Sequence, residues 1–270
     1  MKFCKSILSG VFVVAMAAGA AGATERLFTY TYEPETMPQG DREFEQWVTL
    51  RTPRNAEAGF DNFYRWDFRE ELEYGVNDNW QLALYLNTKY EHFRGPGDDT
   101  KTSDFDFDGV SIENKFMIWN PVNHGVGLSL YIEPTFSDKE TELEEKIILG
   151  QRDGDWKWAL NITHETEWGE DETEGVLEFT FGAARELNKH WSLGFEFRNH
   201  NEIGGYEEWE HTAFFIGPVV HYRSGNWWAA LTALGQVYGK DYEGDKDGES
   251  NFSLKSHEYL NIRCIIGFDF

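Results

Sequence analysis

The feature of this chain that most restricts its fold is a strict alternation of apolar and polar residues, repeated in about twelve segments. In the clearest segment, one face is apolar and the other charged: Tyr64, Trp66, Phe68, Leu72 and Tyr74 against Arg65, Asp67, Arg69, Glu71 and Glu73. Successive side chains of a β-strand point to opposite faces, so a period of two predicts strands. No segment has the 3.6-residue period of an amphipathic helix. The chain is therefore predicted to be all-β.

The lengths of the connections separate the possible all-β architectures, because alternation alone fits both a soluble sandwich and a barrel. We expect strands at residues 43–51, 63–76, 80–93, 106–119, 126–136, 141–151, 156–167, 175–186, 191–199, 207–222, 227–238 and 256–270. Every second connection is tight, at residues 77–79, 120–125, 152–155, 187–190 and 223–226. Most of the other connections are longer, acidic and rich in glycine. Short turns at one end and long loops at the other are typical of outer-membrane barrels. The sequence therefore predicts a single antiparallel transmembrane β-barrel of about twelve strands, over residues 43–270.

The amino terminus has the composition of a secretory signal peptide. Two lysines precede an apolar stretch at residues 7–18, and residues 21–23 form a small-residue cleavage signal. We expect residues 1–23 to be removed and residues 24–42 to form a periplasmic segment ahead of the barrel. Cleavage leaves Cys264 as the sole cysteine, so no disulfide is expected within one chain.

Charge and hydropathy exclude several classes of protein. The chain has 270 residues, a formal net charge of −24 and a mean hydropathy of −0.58. A negative surface repels phosphate backbones, so we expect no nucleic-acid partner. A bundle of membrane helices is excluded, because each helix needs about 20 apolar residues and only the leader approaches that length. Disorder is excluded because 16% of the residues are aromatic and demand burial.

Tryptophan recurs at the edge of every tight turn. Amphipathic rings at one level of each hairpin predict an aromatic girdle at a membrane interface, formed by Trp80, Trp119, Trp156, Trp191 and the pair Trp227 and Trp228. The chain also ends on an apolar strand face that finishes with Phe268 and Phe270. This ending resembles the C-terminal signal that the outer-membrane assembly machinery recognises. We therefore expect that machinery, the lipid bilayer and lipopolysaccharide as partners.

Three stretches, residues 43–51, 69–76 and 81–87, carry a resemblance to a known family. They resemble an uncharacterised family of proteobacterial outer-membrane β-barrel proteins, most strongly over residues 28–90. The resemblance implies a barrel fold and a location in the outer membrane of a Gram-negative bacterium. It implies no activity and no catalytic residue.

If the apolar faces meet lipid, the charged faces line the interior, because a charge at the bilayer midplane costs about 2–4 kcal/mol. The predicted lumen-lining residues are Glu43, Glu45, Arg65, Asp67, Arg69, Glu71, Glu73, Lys89, Glu91, Glu113, Lys115, Glu196 and Arg198. Carboxylates outnumber bases in this set, which favours a narrow passive channel that prefers cations. We expect the five charges of one strand, Arg65, Asp67, Arg69, Glu71 and Glu73, to pair with residues on the neighbouring walls: Glu43, Glu45, Lys89 or Glu91. If such pairs fill the interior, the protein is instead a plugged structural barrel, since twelve strands lie between the filled and the open sizes.

A membrane-embedded hydrolase is the remaining hypothesis. Such an enzyme needs a serine beside a histidine that a third group orients. The candidate histidines are His164, His200, His211 and His221. No serine motif accompanies any of them, so we expect no catalytic residue. The acidic loops at residues 97–99, 169–174 and 241–249 suit weak divalent-cation bridging to lipopolysaccharide, but they lack the pattern of a Ca²⁺-binding loop. We predict no specific metal site and no cofactor, and the sequence indicates no particular solute.

Overall fold

The computed structural model describes residues 25–95, 101–169, 172–242 and 251–270. Twelve strands form one closed antiparallel barrel, in which neighbours in sequence pair with each other and the first strand pairs with the last. The strands are β1 (Arg42–Thr52), β2 (Asp61–Asn77), β3 (Trp80–Arg94), β4 (Lys101–Trp119), β5 (Gly127–Phe136), β6 (Thr141–Asp153), β7 (Trp156–Trp168), β8 (Thr173–Glu186), β9 (Trp191–Gly204), β10 (Glu208–Ser224), β11 (Trp227–Asp241) and β12 (Leu260–Asp269). The predicted fold class and strand number are confirmed.

The first and last strands close the barrel in a register that joins like faces. Phe44 lies opposite Phe268 on one face, and Trp47 lies opposite Ile265 on the other. The backbone N–H of Phe270 donates to a carbonyl of β1 at 3.2 Å, which extends the pairing to the last residue. An even number of strands brings both ends of the barrel to the same side.

Tight turns lie at one end of the barrel, which we call the tight-turn end. The two-residue turns after β6 and β10 contain Gly154 and Gly225 with φ angles of 58° and 66°. Two-residue hairpins favour such positive φ angles, because turns of this kind match the right-handed twist of the strands. The connection from β4 to β5 contains a one-turn helix, α1 (Pro121–His124), capped by the side chain of Asn120.

The opposite end, which we call the loop end, carries the other connections. A short helical turn, Ala56–Phe60, lies between β1 and β2. Residues 242–259 form the longest connection, between β11 and β12, whereas residues 137–140 and 205–207 are short turns. Among the described residues, neither short helix has the length or the hydropathy to cross a membrane.

The two faces of the barrel wall have opposite character. Leu72 and Leu84, in the middle of their strands, are about half exposed on the outside at 48% and 52%. On the inside, Glu71, Glu113 and Glu196 are fully buried. An apolar outside and a polar inside are the arrangement of a barrel whose outer surface contacts lipid.

Residues 25–38, which we call the plug, lie inside the barrel. Every residue from 26 to 34 is buried, and Phe28 and Met37 are inaccessible to solvent. This differs from the periplasmic segment expected at residues 24–42, because within residues 25–42 only 38–40 and 42 are exposed. The physical reason is that the aromatic side chains of this stretch gain burial in a lumen that twelve strands leave wide enough to enter.

Residues 251–259, which we call the inner loop, also fold inward, at the loop end. Ser253, His257 and Glu258 are buried there. Strand β12 consequently begins at Leu260 and not at residue 256 as expected. The predicted leader at residues 1–23, and the acidic residues 97–99, 170–171 and 243–249, lie outside the described residues.

Candidate functional site

The plug enters and leaves the lumen through the tight-turn end. At its start, Oε2 of Glu25 lies 3.2 Å from Nη1 of Arg223, near the end of β10. Its middle, residues 29–31, reaches Glu196, the sixth of the fourteen residues of β9. Its last part returns to the start of β3, where the N–H of Met37 donates to a wall side chain at 3.0 Å. The plug is therefore a re-entrant loop whose tip lies partway up the barrel wall.

Glu196 holds the tip of the plug. Its two carboxylate oxygens accept the backbone N–H groups of Thr29, Tyr30 and Thr31 at 3.0, 2.8 and 2.9 Å. They also accept the hydroxyl of Thr29 at 3.2 Å and that of the wall residue Thr232 at 2.5 Å. Three consecutive amides converge on one buried carboxylate, so this contact satisfies donors that would otherwise be buried without acceptors.

Side-chain amides of the wall hold the rest of the plug backbone. Asn161 makes two bonds to Tyr32: its Oδ1 accepts the N–H at 2.6 Å and its Nδ2 donates to the carbonyl at 2.9 Å. Gln81 accepts the N–H of Met37 at 3.0 Å. Main-chain groups of the plug are thus bonded by wall side chains, and the plug does not extend the β-sheet.

Two recesses in the wall fit bulky plug side chains. A Cβ atom placed on Gly182 would lie 2.6 Å from the ring of Phe28, and one placed on Gly127 would lie 2.6 Å from Pro34. Gly150 on β6 forms the other side of the Pro34 recess, at 2.7 Å. These glycines are required here by close approach of the plug to the wall.

Cations lie over the aromatic rings of the plug. The guanidinium of Arg263, on β12, is 4.0 Å from the ring centroid of Tyr30. Within the plug itself, Arg26 lies 3.9 Å from the ring of Tyr32 and 4.4 Å from that of the wall residue Trp47. Buried cations over aromatic faces gain electrostatic stabilisation that partly offsets their loss of hydration.

Five buried carboxylates form an acidic cluster on the wall beside the plug: Glu43, Glu45, Glu71, Glu73 and Glu113. Within each of two overlapping sets of three, carboxylate oxygens lie within 4.8 Å of one another. Arg26 of the plug is 3.9 Å from Glu45 and supplies a positive charge. Like charges held this close need protons or counter-ions, so the charge of the cluster is linked to the presence of the plug.

The predicted lumen-lining residues all lie on inward positions of the wall. Eight of them are buried, and the other five are half-buried: Arg65, Asp67, Arg69, Lys89 and Glu91. Glu196 proves to be more than a lining residue, because it bonds the plug. A single buried glutamate gives no sequence signal for that role.

The predicted partners of Arg69 are wrong. Its Nη2 lies 2.5 Å from Oε1 of Glu133 on β5, three strands away, and neither β1 nor β3 provides its ion pair. Lys89 pairs with Asp108, and Arg65 pairs with Asp67. The wall curves, so inward side chains on strands that are not neighbours can meet across a chord of the lumen.

A cavity of about 200 Å³ lies at the tight-turn end beside the plug. Charged residues from the plug and the wall line it, among them Glu33, Glu35, Lys115 and Lys157. Lys157 on β7 lies 3.1 Å from Glu35 and 3.9 Å from Glu33, so the same lysine anchors two carboxylates of the plug. The plug thus borders a cavity lined by charged side chains at the tight-turn end.

The tryptophans of the predicted girdle lie on the outside at the tight-turn end. Trp119, Trp156, Trp191 and Trp227 are exposed, and Trp80 stacks on a neighbouring phenylalanine. Trp228, expected beside Trp227, is instead fully buried, because adjacent strand residues face opposite sides. Its indole N–H donates to Glu43 at 3.0 Å. At the C-terminus, Phe268 is exposed on the outside and Phe270 is half-buried.

One serine and histidine pair lies in contact on the outer surface. Nδ1 of His92 is 2.8 Å from Oγ of Ser103. The two residues are direct partners in the register of β3 and β4, so their contact follows from strand pairing. Within the described residues, no hydrogen bond or ion pair orients the other ring nitrogen of His92, and a nucleophilic triad needs such a partner.

A closed antiparallel barrel with an apolar outside, a polar lumen and an inserted segment defines this protein as a β-barrel of the outer-membrane type. The chain belongs to DUF6662, a family of unknown function whose model matches residues 20–148 and 150–270. No curated protein matches the chain.

Solved structures with a similar fold include an outer membrane channel and a porin. The COG4313 outer membrane channel from Pseudomonas putida F1 superposes with a TM-score of 0.63 at 9% identity, over 90% of this chain and 100% of that chain. The NanC porin superposes with a TM-score of 0.55 at 11% identity, over 84% of this chain and 100% of that chain. At these identities the likeness bears on the fold alone.

Proposed function

We propose that this protein is an outer-membrane channel that its own N-terminal plug holds closed, and that it conducts when the plug leaves the lumen. The observation that carries the proposal is the clasp at Glu196, where three plug amides bond one wall carboxylate. Bonds of this kind can be exchanged for water one at a time without breaking a strand pair. Both similar folds belong to proteins described as a channel and a porin, which agrees with this proposal.

Withdrawal of the plug favours cation passage. It removes Arg26 from the acidic cluster and leaves the carboxylates around Glu45 facing an open lumen. Rings and clusters of carboxylates select for cations in pores. The solute class that follows is a small cation or a cationic organic molecule, in a lumen narrower than that of a sixteen-stranded porin.

The proposal is tested by deleting residues 25–38 behind the intact leader. In planar bilayers, wild-type protein should stay mostly closed, and the deletion variant should show stable unitary conductance with a cation-to-anion permeability ratio above one. Heat-modifiable migration on gels checks that the variant folds. A folded deletion variant without conductance contradicts the channel, and an anion preference contradicts the proposed selectivity.

A plugged structural barrel is the second candidate, and the apolar contacts of the plug favour it. Phe28 packs with Ala159, Ala184 and Val219 in one buried cluster, so the plug contributes to the packed interior. Under this alternative, the deletion variant would lose much of its thermal stability, and the refolded fraction would not conduct. The bilayer experiment therefore separates the two candidates.

The proposed location is the outer membrane of a Gram-negative, proteobacterial cell. Lipid and lipopolysaccharide would surround the apolar wall, and we propose no catalytic role for the protein. Recognition by the assembly machinery is proposed to depend on Phe268 and Phe270. We expect Phe270→Asp to reduce membrane-integrated protein several-fold while export across the inner membrane continues. Fractionation of cells expressing the variant measures this, and normal integration would contradict the assignment.

A further inference from the structure

Three histidines converge in the lumen on the loop-end side of the plug tip, with Phe215 packed between His257 and Tyr30. His200 lies on β9, His211 on β10 and His257 in the inner loop, and each offers a ring nitrogen within 4.8 Å of the others. The ring centroids of His211 and His257 are 4.5 Å apart, and those of His200 and His257 are 4.7 Å apart. The inner loop thus brings a third imidazole to two that neighbouring strands already place together.

The ring nitrogens of this cluster point toward one another. Nε2 of His211 lies 2.8 Å from Nε2 of His257. Two imidazole lone pairs at this distance repel each other unless a proton or a cation lies between them. A neutral imidazole has one nitrogen lone pair free to bind a metal ion, and His257 presents Nε2 to the cluster.

Each histidine of the cluster has a carboxylate beside it. Nδ1 of His200 lies 2.9 Å from Glu178, and Nδ1 of His257 lies 3.8 Å from Glu258. Carboxylates on the far ring nitrogen orient metal-ligating histidines and raise their basicity. The third carboxylate differs in its place: Oε2 of Glu202 lies 3.4 Å from Nε2 of His211, the atom that faces His257.

We propose that His200, His211 and His257 form a binding site for a divalent transition-metal ion of the Zn²⁺ type, with Glu202 supplying the fourth ligand. Neutral imidazoles with one carboxylate are ligands that such ions prefer. Ligand atoms of a tetrahedral Zn²⁺ site are about 3.3 Å apart. The 3.4 Å separation of Glu202 from His211 matches this spacing, but Glu202 clusters with His211 and Glu210 and has to move toward His200 and His257 to complete the site. The two Nε2 atoms at 2.8 Å need to separate by about 0.5 Å.

The surrounding charges accommodate a dication. Arg198 is the neighbouring base, with Nη2 3.1 Å from Nδ1 of His200, and its Nε bonds Glu178 at 2.7 Å. Glu178 balances Arg198, and Asp67 pairs with Arg51, the base that faces Glu258. Arg54 also lies near His211, where the carboxylates of Glu258 and Asp241 oppose its charge, so Glu202 remains to balance the metal. Glu202 is partly exposed at the loop end, so an ion can enter from that side whether or not the plug is in place.

Metal titration of the full mature protein, purified without a polyhistidine tag and treated with chelator, tests the site. Co²⁺ should give the visible absorption of a tetrahedral complex, and Zn²⁺ should displace it at one ion per chain. Calorimetry should show Zn²⁺ binding and no comparable binding of Mg²⁺. His257→Gln should weaken Zn²⁺ binding about tenfold or more, since loss even of an outer partner costs about 10–100-fold.

The chain offers a matched control on the same strand as His211. His221 is equally buried on β10 but lies near the tight-turn end beside Glu25, so His221→Gln should bind Zn²⁺ like the wild type while His211→Gln should not. His257 lies outside the strands, and its variant keeps the barrel intact, as heat-modifiable migration can verify. Absence of stoichiometric Zn²⁺ binding, or wild-type affinity in His257→Gln, overturns the proposal.

Discussion

Two segments fill the lumen from opposite ends, and the inner loop has main-chain bonds to the wall in addition to the side-chain bonds that hold both segments. The plug bonds wall side chains, as Tyr30 does with Glu196 at 2.8 Å. The inner loop bonds the backbone of the wall: the N–H of Gly239 donates to the carbonyl of Asn251 at 2.8 Å, and that of Gln236 to the carbonyl of Tyr259 at 2.7 Å. The inner loop therefore continues the sheet, whereas the plug rests against it.

This difference indicates which segment can move. The inner loop is tethered to β11 at one side and β12 at the other, and its main-chain bonds belong to the cooperative strand ladder. The plug is joined to the barrel through β1 and returns to the tight-turn end beside a polar cavity. Segments held by few cooperative backbone bonds open at lower free energy than sheet elements. We therefore expect substitutions that weaken the plug to change conductance, and substitutions that weaken either segment to lower thermal stability.

The largest effect is expected from Glu196→Ala. The change leaves the N–H groups of residues 29–31 without their acceptor, and each buried unsatisfied donor costs about 1–3 kcal/mol. A loss of about 3 kcal/mol for the docked plug corresponds to a shift of about 150-fold toward the undocked state. Single-channel recording should show a large rise in open probability, and protease should cleave the plug more rapidly.

Glu133→Ala is the control for this prediction. Glu133 is an equally buried lumen carboxylate, but it bonds the wall residues Arg69 and Tyr131. We expect this variant to melt at a lower temperature and to stay closed, since the plug keeps its clasp. Equal open probabilities in the two variants would show that lumen charge, and not plug docking, controls the channel.

The barrel could be predicted from the sequence because its signals are local. Apolar and polar residues alternate along each strand, as they do from Tyr64 to Tyr74, and this alternation identifies the strands. Turn residues such as Gly154 and Gly225 mark the tight connections. The inward placement of the charged faces follows from the cost of placing charge in lipid. These inferences do not depend on which strands lie opposite each other across the lumen.

The plug and the ion pairs could not be predicted, because they depend on contacts across the lumen. Phe28, Tyr30 and Tyr32 alternate with threonines like a thirteenth strand, yet nothing in the sequence states that they enter the barrel. Three aromatic residues in a segment expected to be solvated were the available signal. The Arg69 to Glu133 pair joins residues 64 positions apart on strands that are not neighbours, so strand pairing alone could not find it.

A moderate effect is expected from Gly182→Ala. The new Cβ would lie 2.6 Å from the ring of Phe28, and overpacking of this kind costs about 1–3 kcal/mol. The docked plug should be weakened, with a higher open probability and faster proteolysis than in the wild type. In a Phe28→Ala background the ring is absent, so the same change should lose its effect.

Gly235→Ala is the matched control for the recess. A Cβ on Gly235, also in a strand, meets no atom within 4 Å. Alanine in a strand interior is more stable than glycine by about 0.5–1 kcal/mol, so this variant should be neutral or slightly stabilising and should stay closed. A similar rise in open probability in both variants would mean that Phe28 does not occupy the recess at Gly182.

The smallest effect on conductance is expected from Gln236→Ala, which acts on the inner loop. The buried side chain of Gln236 accepts the N–H of Ser253 at 2.7 Å and donates to the carbonyls of Ser253 and Glu258 at 3.2 and 3.1 Å. Its loss leaves buried backbone groups unsatisfied, at about 1–3 kcal/mol. The melting temperature should fall and protease should reach residues 251–259 sooner, while the backbone ladder still holds the loop in the lumen and the plug still closes the other end. Open probability should therefore match the wild type.

Gln46→Ala is the control, because its half-buried amide bonds backbone carbonyls on β1 and β2 and touches neither segment. If Gln236→Ala opens the channel as Glu196→Ala does, the two ends of the lumen are not distinct, and the inner loop is a second gate.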